Sequence, residues 1–380
     1  MVTIMRLPRA TLRRLLRRSC RIAAAAIVTG GALADARAET LVERTNRGLV
    51  EIITDGDSAA IDMARDLAGV LDDGATRRVL PAVGYGGVQD LIDLKALRGV
   101  DIGIIQSDAL DYARKRKILP GIENVMTYIA KLHNEELHVL ARAEVKSLDD
   151  LAGKKVDFTG GAVVTGRNVL NLLHVKIEPV FEDRARALAR LKSGEIAALA
   201  YVAAKPTALF DRLRDGDGLH FLAIPLTPEL AAAYVPARLT SEDYPRLVTA
   251  DAPVDTIAVG VVLMVAPLQP NTERYGNVAN FVEAFFTQFP HLQEAPRHPK
   301  WAEVNLAAEV PGWRRFPPAD AWLKRNVVAA APAIDDKEMH AIFAKFLDER
   351  SRLAGGKAMS AQEKDQLFDQ FRHWQTGALR

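Results

Sequence analysis

Two apolar, strand-like runs constrain this chain most: Leu137-His138-Val139-Leu140-Ala141 and Ile257 to Val265 (IAVGVVLMV), about 120 residues apart. Both read as buried strands. The segment between them has its own strand-helix pattern and is long enough for a separate lobe. After the second run the chain resumes the pattern it left. Two crossover strands joining two lobes create a cleft with a hinge, a common place for ligands.

From Thr40 onward strand-like and helix-like segments alternate, the pattern of an α/β fold with largely parallel sheets. Glu51-Ile52-Ile53 predicts a strand, Thr54 to Ser58 a turn, and Ile61, Ala64, Leu67, Ala68 and Leu71 a helix over Ala59–Leu71. Val79 to Val83 predicts a second strand, broken by Gly84-Tyr85-Gly86-Gly87, and Asp101 to Ile105 a buried third, ending at Gln106-Ser107-Asp108. In the middle segment, Ser147-Leu148-Asp149-Asp150 reads as an acidic capping box before a short helix that Gly153 ends. Lys155–Phe158 reads as a strand, Thr159-Gly160-Gly161 as a turn, and Thr165 as the N-cap of a helix to about Leu173. A helix at Val278–Gln288 follows the second crossover run, then a proline-dotted stretch. The tail carries two helical stripes, Met339, Ile342, Phe343, Phe346 and Leu347, then Leu367, Phe368, Phe371 and Trp374 behind a full capping box at Ser360–Glu363. The organisation expected is a leader over 1–38, a first lobe from 39–142 plus 262–330, a second lobe over 143–261, and a C-terminal helical extension over 331–380.

The leader sets the compartment. Arg6, Arg9, Arg13, Arg14, Arg17, Arg18 and Arg21 precede the small apolar run Ile22–Ala34, and Ala36-Arg37-Ala38 supplies a cleavage pattern before Glu39. These are the parts of a secretory signal peptide, so the mature chain is expected in the periplasm. An apolar run of this length spans about 20 Å as a helix, too little for a ~30 Å hydrocarbon core. Losing the leader removes eight arginines and one aspartate, leaving 42 Lys+Arg against 47 Asp+Glu. A mildly acidic mature chain argues against nucleic-acid binding. The single cysteine, Cys20, leaves with the leader, which excludes disulfides, a catalytic thiol and thiolate metal sites. No later apolar run is long enough to span a membrane, so no direct membrane insertion of the mature chain is expected.

Candidate ligand contacts gather at helix starts and strand ends. Thr165 opens a helix whose first N–H groups carry partial positive charge, and Arg167 adds a fork that suits a carboxylate; a plain cap and a solvated arginine are the alternatives. Ser58 stands at the matching helix start of the first lobe, beside Asp55 and Asp57, which would repel a bare anion but pair with an amine. Gln106 and Ser107 follow a buried strand, and α/β sites collect at such carboxyl ends. Thr159, Tyr85 and Tyr201 sit at turns or strands where they either meet a ligand or pack. There is no G-x-S-x-G, no P-loop and no H-E-x-x-H, and the eight histidines do not cluster. No enzyme, metal or cofactor is therefore expected.

The segments GVDIGIIQSDAL, LHVLARAEVKSLDDLAGKKVDF and VDTIAVGVVLMV resemble the TAXI family, the solute receptors of tripartite ATP-independent periplasmic (TRAP) transporters. The resemblance covers most of residues 48–325, including PGWRRFPPADAWLKR. It implies a type 2 periplasmic binding-protein fold, a small carboxylate or amino acid held between the lobes, and delivery to a TRAP permease. The chain departs from the family's glycine-rich first turn at Thr54–Ala60 and from its Gly-Ser-Gly-Thr turn at Gly161–Thr165, both ligand-facing. A receptor presenting its ligand to a sensor kinase or chemoreceptor is the other reading.

Overall fold

A computed structural model describes residues 46–56, 59–211, 213–326 and 359–376, with residues 340, 343, 344 and 347. The leader, Asp57, Ser58 and most of the first tail stripe lie outside the described residues. The body beginning at Gly48 is built on one ten-stranded sheet. Its strands are β1 (Leu49–Asp55), β2 (Arg78–Gly84), β3 (Val100–Gln106), β4 (Thr127–Arg142), β5 (Lys155–Thr159), β6 (Glu178–Val180), β7 (Ala198–Ala203), β8 (Leu219–Phe221), β9 (Val235–Leu239) and β10 (Val254–Val265). They run in the order β2-β1-β3-β10-β4-β7-β5-β6, with β8 beside β4 and β9 beside β10. The outer pairs of each half are parallel, as crossover helices require, whereas β4 and β10 run antiparallel through the middle.

β4 and β10 are the longest strands, and both serve two cores. Ile129, Ala130 and Leu132 of β4 and Val261, Leu263 and Val265 of β10 bury into a core with α1 (Ala59–Leu71) and Trp301. Leu137, Val139 and Ala141, with Ile257 and Val259, bury into another formed by Phe158, Val169, Leu170 and Tyr234. On the opposite faces one cluster lies under Leu91, Leu110 and Trp313, the other under Leu191, Phe210 and Tyr244. The apolar clusters therefore change over along β4 between Leu132 and Leu137, and along β10 at Gly260. The intervening residues of β4 are His133, Asn134, Glu135 and Glu136. Two α/β lobes result, joined by two crossover strands, the architecture of a type 2 periplasmic binding protein.

Local signals explain most elements. α1 keeps Ile61, Ala64, Leu67 and Leu71 on one buried stripe. β3 is buried at every position, which parallel strands covered on both faces require. The helix expected at Val278–Gln288 starts earlier, at Thr272, whose side chain caps Glu273–Thr287. In the tail, Ser360 and Glu363 exchange capping-box hydrogen bonds at the start of Ala361–Thr376. The expected helix at Ser147–Gly153 is only a turn of 3-10 helix, Asp149–Leu151, because the Asp150 carboxylate folds back onto the N–H groups of Lys146 and Ser147. Among the described residues no helix is long and apolar enough to cross a membrane.

Glu136, in the polar stretch, is held from both lobes. Its carboxylate accepts from Lys300 Nζ at 3.1 Å and from the Lys205 backbone N–H at 3.0 Å. Both charged side chains are almost wholly buried, so each depends on the other for the solvation it has lost. Lys300→Met should lower the unfolding free energy by about 3 kcal/mol in urea melts, and Glu136→Gln combined with it should restore most of that loss. Equal losses in the single and double variants would show that the pair is not what the melts report.

Candidate functional site

The carboxyl ends of β1 and β3 face those of β5 and β7 across a seam between the lobes. The described arrangement is closed. Gly160, at φ +58°, lies so close to Asp55 that a Cβ there would come within 2.8 Å of Asp55 Oδ2. A Cβ on Gly161 would come within 2.7 Å of Gln106 Nε2. No L side chain fits either contact, so these two glycines set how near the lobes approach.

Four acidic side chains line this region. Asp55 ends β1, and burial pushes its carboxyl up to about 6, with Glu135 adding to the rise and Arg184 opposing it. Asp90 is enclosed by the Gly84–Gly87 turn, whose Gly86 N–H donates to its Oδ1 at 2.8 Å; burial raises it to about 6 as well. Glu135, fully buried in β4, accepts from Gln106 Nε2 at 3.0 Å through Oε2. Asp108, in the first turn of α3 (Ser107–Lys115), reaches the other lobe and accepts from the Tyr234 hydroxyl at 3.0 Å. Asn168 Nδ2 donates to the same hydroxyl at 2.7 Å. Burial lifts Asp108 to about 6 against the pull of the Thr165 and Tyr234 hydroxyls, with Asp111 contributing to the rise.

Facing these acids are Arg184 and Tyr201. Arg184 is the first residue of α5 (Arg184–Ser193), a helix capped by the Asp183 carboxylate on Arg186 N–H. Its Nη1 donates to the Tyr201 hydroxyl at 2.5 Å, and its guanidinium lies 5.4 Å from the centre of that ring. Tyr201 sits in β7 opposite His138 of β4 and Thr159 of β5. Burial raises its hydroxyl further above its ordinary range.

Of the residues singled out from sequence, Gln106, Tyr201 and Thr165 are buried at this seam. Thr165 is not the N-cap: that position is Val164, and Thr165 is the first residue of α4 (Thr165–Leu172), its hydroxyl close to Asp108. An acidic side chain of the chain itself thus stands where a ligand carboxylate was expected. Ser107 opens α3 without capping it, its hydroxyl turned towards Gly260 and Lys131. Thr159 turns back into its own lobe, with Oγ1 at 2.9 Å from Asp157 Oδ1 and 3.2 Å from the Glu182 carbonyl oxygen. Arg167 is exposed and stacks over Phe181 at 5.6 Å, and Tyr85 is 86% exposed on its turn. Ser58 lies outside the described residues. Sequence reasoning missed Glu135, Asp108, Arg184 and Tyr234. One signal was available: four polar residues interrupt the apolar pattern before Leu137.

His138, by contrast, is a core histidine. It is boxed by Phe210, Phe221 and Tyr244, bonded to the Tyr244 hydroxyl at 2.7 Å, and pushed down to about 4 by burial. Among the described residues no group of three or more His, Cys, Asp or Glu is placed to hold a metal ion.

Asp108 gives the seam a pH dependence. Its folded value lies above the ordinary 3.8, so its favourable contribution is complete below about pH 4 and is lost as pH rises through about 6. Asp108→Asn keeps an acceptor for Tyr234 but cannot ionise. Relative to wild type, the variant should gain up to about 3 kcal/mol of stability between about pH 4 and 7, read from urea melts at each pH. A difference that does not change with pH would place the Asp108 carboxyl in water.

No family model matches the chain, and no curated protein matches it. Solved structures of similar topology include an ABC uptake transporter substrate-binding protein from Streptococcus pneumoniae with bound histidine, at 11% identity and a TM-score of 0.44, covering 72% of this chain and 99% of that one. The periplasmic binding protein BugD is similar at 12% identity and a TM-score of 0.44, over 73% of this chain and 93% of its own. The alkanesulfonate-binding protein from Xanthomonas axonopodis pv. citri, bound to MOPS, is 16% identical with a TM-score of 0.41, over 88% and 95%. The fold assignment rests on the strand order and crossover strands of this chain.

Proposed function

We propose that this chain is an extracytoplasmic solute receptor that captures a small solute between its lobes and hands it, unconverted, to a membrane partner. One observation carries the reading: strand ends from both lobes converge on a seam whose buried polar atoms are not all satisfied from within the chain. Oε1 of Glu135, Oδ1 of Asp108 and Oδ2 of Asp90 have no hydrogen-bonding partner. A buried acceptor without a donor costs about 1–3 kcal/mol, so a solute that supplies donors stabilises the closed form. The polar stretch of β4 and Gly260 of β10 serve as the hinge. Export rests on the leader, and delivery to a TRAP-type permease on the three resembling segments and their order. Of the two expected solute classes, acidic seam residues suit an amino acid, whose ammonium they can accept, better than a plain carboxylate.

A thermal-shift screen of amino acids, amines and organic acids on the mature chain tests this. A solute at about 100 times its Kd should stabilise the protein by ~2.7 kcal/mol, and mass spectrometry should recover it unchanged. A screen without any stabilising compound, or recovery of a converted product, would overturn the receptor reading.

A further inference from the structure

We infer that the inter-lobe seam selects a cation, a guanidinium or alkylammonium group seated among Asp55, Glu135 and Tyr201, and that the solute need carry no carboxylate. The inference rests on the receptor reading above and narrows its ligand.

Hydrogen-bond inventory, rather than acidity alone, drives it. Glu135 is fully buried, and only one of its oxygens has a donor, Gln106 Nε2. That amide is the one pressed against Gly161, so the Glu135 carboxylate sits at the inter-lobe contact and not in either core. Asp108 and Asp90 each leave a buried oxygen unbonded as well. His133, also fully buried, offers its Nε2 only at 3.6 Å from the free Glu135 oxygen. The seam is thus rich in acceptors and short of donors. A carboxylate brings acceptors only; a guanidinium brings five N–H donors and an ammonium three. Charge points the same way, because a buried carboxylate without a counter-charge is costly and an added anion would increase that cost.

Arg184 shows what such a cation meets. It stands at the first position of a helix with no acid in its first turn, where the helix dipole disfavours positive charge. It nevertheless points its guanidinium at Tyr201 and feels the charge of Asp55. The chain places one cation of its own against the acids, and three carboxylate oxygens still lack a donor. The second cation is the solute's.

Calorimetry on the mature chain with agmatine, putrescine and succinate tests the assignment. Agmatine or putrescine should bind and succinate should not. Glu135→Gln and Asp55→Asn should each weaken the diamine by at least about tenfold, the loss of one charge-assisted hydrogen bond. Arg184→Met, which removes the competing cation without touching the acids, should tighten binding and so covers the case in which an acid variant fails to fold. Succinate binding without diamine binding would overturn the cation assignment while leaving the receptor intact. Diamine binding indifferent to all three variants, or no binding of either diamine, would also overturn it. Failure of the receptor itself shows separately, as a screen in which no compound stabilises the chain.

Discussion

The pairing of β4 with β10 is the constraint on which the rest depends. These two antiparallel strands are the centre of the sheet, and each passes from the core of one lobe into the core of the other. Apolar contact, the main driving force of burial, is strong on both sides of the crossing and interrupted within it by His133 to Glu136. The backbone ladder is irregular at the same place, with a register shift between Gly260 and Val262. A region with few apolar contacts and an imperfect ladder bends at lower cost than the lobes it joins. Folding and hinge motion therefore come from the same residues: long apolar strands make the lobes cohere, and a polar break in those strands lets them move.

The break also brings charge inside. Glu136 faces the Lys300 side and is satisfied there, whereas Glu135, one residue on and so on the opposite face of the pleat, is presented towards Gln106 and the seam. Adjacent glutamates thus have opposite roles: one ties the strand to its surroundings, the other is left half satisfied where the lobes meet. Arg184 on Tyr201 and Asp108 on Tyr234 add cross-seam polar contacts of the same kind. Such groups favour closure only if their donors and acceptors balance, and closure shifts only by the differential affinity of a solute for the closed form.

The lobe architecture was legible because period and position agreed locally. The helix over Ala59–Leu71 followed from its stripe, β3 from a continuous apolar run, and the Ser360 capping box from residue types at fixed spacing. The candidate site was less legible, for a physical reason. Gln106, Ser107 and Thr159 were placed at strand ends by topology alone, but which way each side chain turned depended on partners far along the chain. Thr165 looked like a cap and is a buried first-turn residue beside Asp108, 57 positions earlier in the numbering. Arg167 looked like a ligand fork and lies exposed over Phe181, while Arg184, at a helix start that disfavours it, reaches the seam. Tyr234, 126 positions from Asp108, has no local feature that marks it.

The central claim is that two lobes hinged on β4 and β10 close around a solute. Small-angle scattering of the mature chain, alone and saturated with the strongest stabiliser found by thermal shift, tests it most directly. The account predicts a smaller radius of gyration in the saturated sample, with each lobe's scattering otherwise unchanged. Superimposable curves, at a concentration where calorimetry shows full occupancy, would contradict it.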